Sequence, residues 1–245
     1  MGWASLAARP PNARPLYDAT PESPNFRTHR RPAMTAAGAE KAFPVVCVGG
    51  SAGGLDAYIR LLRHLPADMG VAIVIVNHLR TVATLLHEIL PRHTSMPVEL
   101  ITEKLVILPN RVFIIPEKRD LHVLDGEFRL KPISKPWGWP DVITVFLRSM
   151  TRNWDGQMIV VIVSGYDGDG AAALCDIREI GGITIAQKPE TADKPDMPES
   201  AIESGCVDFI LSPEDIAAKI IQIARREHSR TTLKISHPKI GSSRA

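Results

Sequence analysis

Three short segments of the chain carry residue types that could perform acyl transfer. Gly49-Gly50-Ser51-Ala52-Gly53 fits the G-x-S-x-G pattern of a nucleophile elbow. A serine in that pattern sits on a sharp strand-to-helix turn in strained backbone geometry, and only small residues two before and two after it avoid clashes. The helix that follows points its first N–H groups at the site, where they can stabilise an oxyanion. Asn77-His78 ends the next apolar run, and Ser164-Gly165-Tyr166-Asp167-Gly168-Asp169-Gly170 follows a later one. A general base must come within about 3 Å of the proton it takes, and His78, on the strand that follows the Ser51 helix, meets that condition if the two strands are neighbours. Asp169 would accept the His78 N–H, fix its tautomer and stabilise the imidazolium.

Each of these residues also has a plainer role. The glycines could serve only a tight strand-to-helix turn, His78 a hydrogen-bonded structural position, and Asp169 an N-cap for the helix after it. Other ligand chemistries fit worse. A Walker loop needs a lysine that the 49–54 segment lacks. A dinucleotide fingerprint needs a glycine where Ser51 stands and an acid where the next strand ends in Asn77-His78. The D-x-D-G stretch lacks the remaining ligands of a calcium loop, and the three segments lack soft ligands for zinc, so neither a metal nor a cofactor is expected. His64, His87, His93 and His122 lie in or after helices or in a hairpin and read as surface groups. The order Ser51…His78…Asp169 differs from the Ser…Asp/Glu…His order of α/β-hydrolases, which points to acyl transfer outside the standard lipases and esterases.

These segments need a scaffold that brings strand ends together. Short apolar runs at 45–48, 71–76, 158–163, 183–186 and 207–211 alternate with helical spacing at 55–65, 85–90, 141–152, 170–180 and 198–204. That alternation predicts a three-layer, doubly wound α/β fold of Rossmann-like type, with a mostly parallel sheet buried on both faces. Ligands in such sheets bind at the carboxyl ends of the strands, where all three segments fall. Residues 105–130 break the rhythm. The runs 112–115 and 121–124, with Asp125-Gly126 as a turn, predict a small antiparallel excursion at one edge. Ser212 caps a final helix, with Asp215 three residues on.

Composition sets the outer limits. The chain has 245 residues, 44% hydrophobic and 23% charged, which is the balance of a soluble globular protein with room for one generous domain. No stretch approaches the ~20 apolar residues of a spanning helix, so no membrane insertion is expected. A net charge of +2 with 5% aromatics gives no support for nucleic-acid binding. The +2 averages unlike parts. Residues 1–33 carry five arginines and two acids, residues 225–245 carry six basic residues and one acid, and residues 34–224 are left with a net −6. Six prolines among the first 32 residues and the lack of an apolar period predict a disordered segment over 1–42, with Met34 as the natural start. A domain over 43–225 and a loose basic tail over 226–245 complete the expected organisation. Cys47, Cys175 and Cys206 are odd in number and widely spaced, and read as reduced thiols of a cytoplasmic protein.

From Val45 to about Ile220 the chain resembles the methylesterase domain of the chemotaxis protein-glutamate methylesterases, the CheB family. The matching landmarks are Gly-Gly-Ser-Ala-Gly-Gly at 49–54, Asn77-His78, Arg111-Val112-Phe113-Ile114-Ile115-Pro116, and Asp169-Gly170-Ala171 after Ser164-Gly165. Ile183-Thr184-Ile185-Ala186-Gln187 and Met197-Pro198-Glu199-Ser200-Ala201-Ile202 complete the set. The resemblance implies Ser51 as nucleophile, His78 as general acid/base and Asp169 as its orienting partner. It places the Tyr166 N–H as an oxyanion donor, with Ala52, Asp167 and Met197 on the rim. The implied substrate is a glutamate γ-methyl ester on the cytoplasmic domain of a chemoreceptor, giving glutamate and methanol, with deamidation of receptor glutamine as a second activity. A separate receiver or methyltransferase protein is the other implied partner. A catalytically idle adaptor of the same fold is the alternative, disfavoured by the complete Ser51/His78/Asp169 set. The chain departs from the family pattern at Tyr166-Asp167, where Met-Gly is usual, at Asp196, where glycine is usual, and at Asn77, where Gln is usual. Segment 1–42 is too short for the family's N-terminal receiver domain, so activity is expected to be constitutive, under a separate partner, or tied to a different output.

An extra carboxylate at Asp167 beside His78 favours the imidazolium and raises its pKa. The base acts when neutral, so the acidic limb of the wild-type pH–rate profile should lie above that of Asp167→Asn. Superimposable profiles would refute this.

Overall fold

Every residue of Val45–Gly50 (β1) is buried, which requires a strand covered on both faces. The computed structural model describes residues 43–77, 85–134 and 140–236, the last seven by backbone only. His78, the expected disordered segment 1–42 and residues 237–245 lie outside the described residues. The further strands, in chain order, are Ala72–Asn77 (β2), Val98–Leu100 (β3), Arg111–Ile114 (β4), Arg119–Leu124 (β5), Glu127–Pro132 (β6), Met158–Ile162 (β7), Ile183–Gln187 (β8) and Phe209–Leu211 (β9). All except β5 and β6 form one parallel sheet in the order β3-β4-β2-β1-β7-β8-β9. The helices are Gly54–Arg63 (α1), Leu86–Ile89 (α2), Val142–Asn153 (α3), Leu174–Glu179 (α4), Asp196–Glu203 (α5) and Pro213–Ser236 (α6).

Strand side chains alternate between faces, and the core divides accordingly. Val46, Val48, Ile73, Ile75 and Val161 pack with Tyr58, Leu61 and Leu62 of α1 and Ile216, Ala217 and Ile220 of α6. Val45, Cys47, Val74 and Val160 pack with Phe146, Leu147 and Met150 of α3, Leu174 and Ile177 of α4, and Leu121, Val123 and Phe128 of the hairpin. This is the expected three-layer α/β fold. On the α1 face, Arg60 Nε and Nη2 reach Glu214 Oε1 and Oε2 at 2.7 and 2.9 Å and tie α1 to α6. The Arg60 hydrogen bond holds the Glu214 carboxyl down at about 2.

Three features differ from the sequence expectation. The run 112–115 belongs mostly to β4, which pairs parallel with β2 and β3, so the antiparallel excursion is confined to β5 and β6. That hairpin turns at Asp125-Gly126, both at positive φ (53° and 74°), as a two-residue turn with matching twist demands. The last helix continues to Ser236, past the expected start of a loose tail near Arg226. Its Ser212–Asp215 cap is as expected, with the Asp215 N–H on Ser212 Oγ at 3.2 Å.

The third difference is chemical. Cys175 and Cys206 are joined in a disulfide, with Cα atoms 5.1 Å apart, and only Cys47 is free. Wide spacing in sequence hid the pair. Cys175 lies on α4 and Cys206 in the turn before β9, and pairing of β7, β8 and β9 brings the two together. Burial pushes the Cys47 thiol pKa far up, so it is packing material rather than a nucleophile. Denatured, unreduced protein should therefore titrate one thiol and reduced protein three. Closing a loop across a separation of 31 residues should make reduction cost ~4 kcal/mol of stability, read as a lower Tm. Three thiols without reductant would refute the pairing.

Candidate active site

β1 lies between β2 and β7, so the loops after these three strands leave the sheet side by side. Neighbouring strands are about 4.8 Å apart. Gly50 pairs with Asn77 and Gly49 with Ile162 in register, so Ser51 and His78 each follow directly on a paired position. The sequence order reverses across β1, which makes this edge the topological switch point where α/β sheets bind ligands.

Ser51 begins a tight turn in which the Gly54 N–H donates to the Ser51 carbonyl at 3.0 Å. Gly53 holds the left-handed position at φ 75° and caps α1. Ser51 itself is not among the residues with positive φ; the left-handed positions fall instead at Gly53, which adopts that conformation without steric cost, and across the site at Asp167 (φ 73°). Small residues are needed here because two helices press on the loop. A Cβ on Gly49 would stand 2.8 Å from Ile143 Cγ2, and one on Gly50 would run into the Tyr58 hydroxyl. Tyr58 is fully buried, and its hydroxyl donates to Asn77 Oδ1 at 3.1 Å, which fixes the end of β2 against α1.

The loop after β7 closes over Ser51. The Ser51 N–H donates to the Ser164 carbonyl at 2.9 Å. A Cβ on Gly165 would come within 2.8 Å of Ser51 Cβ and would collide with Met197 Sδ, so Gly165 brings bare backbone against the serine. Two carbonyls here are occupied. That of Ser51 accepts from Gly54, and that of Gly165 accepts from the Met197 N–H at 3.0 Å. In a trans peptide the C=O and the next N–H point opposite ways, and the described residues contain no cis peptide. The Ala52 and Tyr166 N–H groups are thus turned away from the partners of Ser51 and Gly165, and neither donates to a backbone carbonyl among the described residues.

Asp169 does something the sequence did not reveal. It does not cap the helix that follows it. Its carboxylate sits at the N-terminus of α3 and accepts from Ile143 N at 2.9 Å, Thr144 N at 2.9 Å and Thr144 Oγ1 at 2.8 Å. The nominal α3 cap, Asp141, makes no side-chain cap bond. A carboxylate is favoured at a helix N-terminus by the dipole and the free N–H groups. It has about four acceptor positions, and these three bonds leave room for a further donor. Asp167 supports the arrangement, because its Oδ1 accepts the Asp169 N–H at 2.9 Å.

The rim is mixed. Tyr166 is half exposed, with Lys194 Nζ 5.5 Å from its ring centre, and the hydrogen bond to Tyr166, followed by Asp193, raises the Lys194 pKa. Met197 is buried at the start of α5. An open groove of about 620 Å³ starts at Gly53 and runs between Leu55, Asp56 and Ile59 of α1 and residues 190–193. Among the described residues no group of three His, Cys, Asp or Glu side chains could hold a metal, and no helix is long and apolar enough to cross a membrane. Of the expected site residues, Ser51, Ala52, Tyr166, Asp167 and Met197 line one loop cluster, and Asp169, in the loop after β7, stands behind it with its carboxylate on the N-terminus of α3. Thr144, Ser164 and Gln187 were missed as contributors. Ser164 could have been found from its place at the end of a core strand. Nothing in the local sequence marks Thr144.

Comparison with known proteins gives a consistent result. The family model described as CheB methylesterase matches residues 46–220. A protein-glutamate methylesterase/protein-glutamine glutaminase of Burkholderia thailandensis is 32% identical over 203 residues, 81% of this chain and 59% of that protein. The chain thus spans about three fifths of that relative's length. A Leptospira interrogans relative described by the same two activities is 31% identical over 183 residues, 74% of this chain and 95% of its own. The crystal structure of the Thermotoga maritima CheB methylesterase catalytic domain superposes with a TM-score of 0.65 at 26% identity, covering 73% of this chain and 97% of that one.

Thr144 offers a direct test of the Asp169 clamp. Its hydroxyl donates to Asp169 and accepts the Gly170 N–H at 2.9 Å. Thr144→Val leaves both partners short of a bond in a buried site and should cost ~1–3 kcal/mol, while Thr144→Ser should cost much less. Equal melting curves for Thr144→Val and wild type would contradict the clamp.

Proposed function

Since the chain belongs to the CheB methylesterase family, we propose that it is a serine hydrolase that removes methyl groups from glutamate γ-methyl esters on the cytoplasmic domain of a chemoreceptor, with deamidation of receptor glutamine as its second activity. The observation that carries this reading is the meeting of the Ser51 turn, the Gly165–Tyr166 backbone and the end of β2 at one sheet edge. Cytoplasmic location and a receiver or methyltransferase partner belong to the same reading, as does a catalytic domain over 43–225.

In the proposed mechanism Ser51 Oγ attacks the γ-acyl carbon while His78 takes its proton. The carbonyl electrons move onto oxygen, and the Ala52 and Tyr166 N–H groups receive that oxyanion. Collapse restores the carbonyl and expels methoxide, which takes the proton from the His78 imidazolium and leaves as methanol. Water, deprotonated by His78, then attacks the acyl-enzyme, and Ser51 leaves with that proton, releasing glutamate. A glutamine substrate follows the same path with ammonia as the first product. Asp169 holds the imidazolium throughout. The half-exposed Tyr166 and the charge of Asp167 stand on the rim where a receptor helix would approach, and they make it bulkier and more acidic than the usual Met-Gly.

The deciding measurement is methanol release from methylated receptor membranes. Wild type should release methanol, and Ser51→Ala should lower the rate by at least about 10³-fold. Release that survives in Ser51→Ala would overturn the nucleophile assignment. No release from wild type would favour the idle adaptor.

A further inference from the structure

Ser164 is 1% exposed and joins three segments of the site with all its polar groups engaged. Its carbonyl accepts the Ser51 N–H at 2.9 Å, and its own N–H donates to Gln187 Oε1 at 2.9 Å. Its hydroxyl donates to the Ala52 carbonyl at 3.0 Å and accepts the Lys194 N–H at 2.9 Å. The next residue repeats the link, with the Gly165 N–H on the Lys194 carbonyl at 3.0 Å. Gln187 is equally buried and passes the restraint on to the Thr191 carbonyl at 2.8 Å.

These bonds decide where backbone N–H groups can point. The Ser51 N–H is spent on Ser164, so it is not a donor to substrate. The hydroxyl of Ser164 holds the peptide that follows Ala52 and the strand of chain around Lys194. The latter in turn grips Gly165, whose peptide carries the Tyr166 N–H. Without the hydroxyl, the Ala52 carbonyl and the Lys194 N–H lose a shared buried partner, and the two loops are no longer locked to each other.

We propose that Ser164 is a positioning residue, whose hydroxyl locks the Ser51 turn to the Gly165–Tyr166 backbone and so holds the oxyanion donors in place before substrate arrives. It touches neither substrate nor the reacting atoms. The inference rests on the serine-hydrolase reading above, and its test must separate the two. Misplacing a reacting constellation by about 1 Å costs on the order of 10²-fold in rate. A shifted donor weakens the transition state and leaves ground-state binding alone.

The test uses the full chain and a fluorophosphonate probe, which reports nucleophile and oxyanion donors without regard to the natural ester. Labelling at Ser51 is located by mass spectrometry, and folding is checked by thermal melts. Ser164→Ala should label at least about tenfold more slowly than wild type, up to about 10²-fold. Ser164→Cys, nearly equal in volume but a poor hydrogen-bonding group, should be slowed similarly and serves if the alanine variant does not fold. Ser164→Thr keeps the hydroxyl and should recover to within about threefold. With an ester substrate the loss should fall on kcat, with KM within about twofold. A wild type that does not label would overturn the hydrolase reading and this inference with it. A wild type that labels, with Ser164→Cys or Ser164→Ala at the same rate, would overturn the positioning role alone. So would a loss that a folded Ser164→Thr fails to restore.

Discussion

Parallel pairing of β1 between β2 and β7 is the constraint from which the rest of the site follows. All strands of a parallel sheet end on the same edge, so the loops after these three neighbouring strands must emerge together. β1 contributes no exposed residue and pairs along its whole length on one side and nearly so on the other. Slipping it by one residue would turn Val46 and Val48 toward α3 and Val45 and Cys47 toward α1. The position of Ser51 is thus secured by the packing of two hydrophobic layers, and its own loop needs only to turn tightly.

The second layer of organisation is polar. Around the serine, backbone groups are bonded in pairs that leave few ways to rearrange. Ser51 to Ser164, Gly165 to both Lys194 and Met197, and Ser164 to Ala52 form a closed web between the ends of β1, β7 and β8. Buried polar groups left without partners are costly, and here that cost works for function, because flipping the Ser164–Gly165 peptide would break two bonds at once, those to Ser51 and Lys194. Asp169 follows the same logic on the other side. By capping α3 it ties the loop after β7 to a helix packed on the opposite core face from α1, so the site is braced from both layers.

The body and its ends differ in charge, with −6 over residues 34–224 and an excess of arginine and lysine outside it. Part of that acidity lines the edge of the site. Asp56, Glu190 and Asp193 border the groove beside Gly53, although each has a cation close by, Arg60, Lys188 and Lys194. Exposed pairs of this kind are weak and exchangeable, so they leave the rim adaptable in contrast to the rigid web beneath it.

The sequence by itself determined the layers of the fold, the strand ends on which chemistry could be placed, and the elbow around Ser51. These are local matters. Apolar runs of strand length, small residues around a turn, and Asp125-Gly126 in a hairpin are each set by the physics of neighbouring residues. Tertiary structure alone decided which distant groups share a bond. From sequence, Asp169 is the expected partner of His78, with a cap on its own helix as the plainer role, and nothing local shows that its carboxylate caps α3, some 25 residues earlier. Cys175 and Cys206 are far apart in sequence and show no pairing signal there, and adjacent strands bring them into a disulfide. The run 112–115 has the sequence pattern of the antiparallel excursion beside it, yet most of it joins the parallel sheet because β2 and β3 offer it partners on both sides. Ser164 looked like one small residue among several after β7, and its bonds to Ala52 and Lys194 span three loops. A side chain's type and neighbours in sequence fix what it can bond, and only the packing of the whole sheet fixes which partner comes within reach.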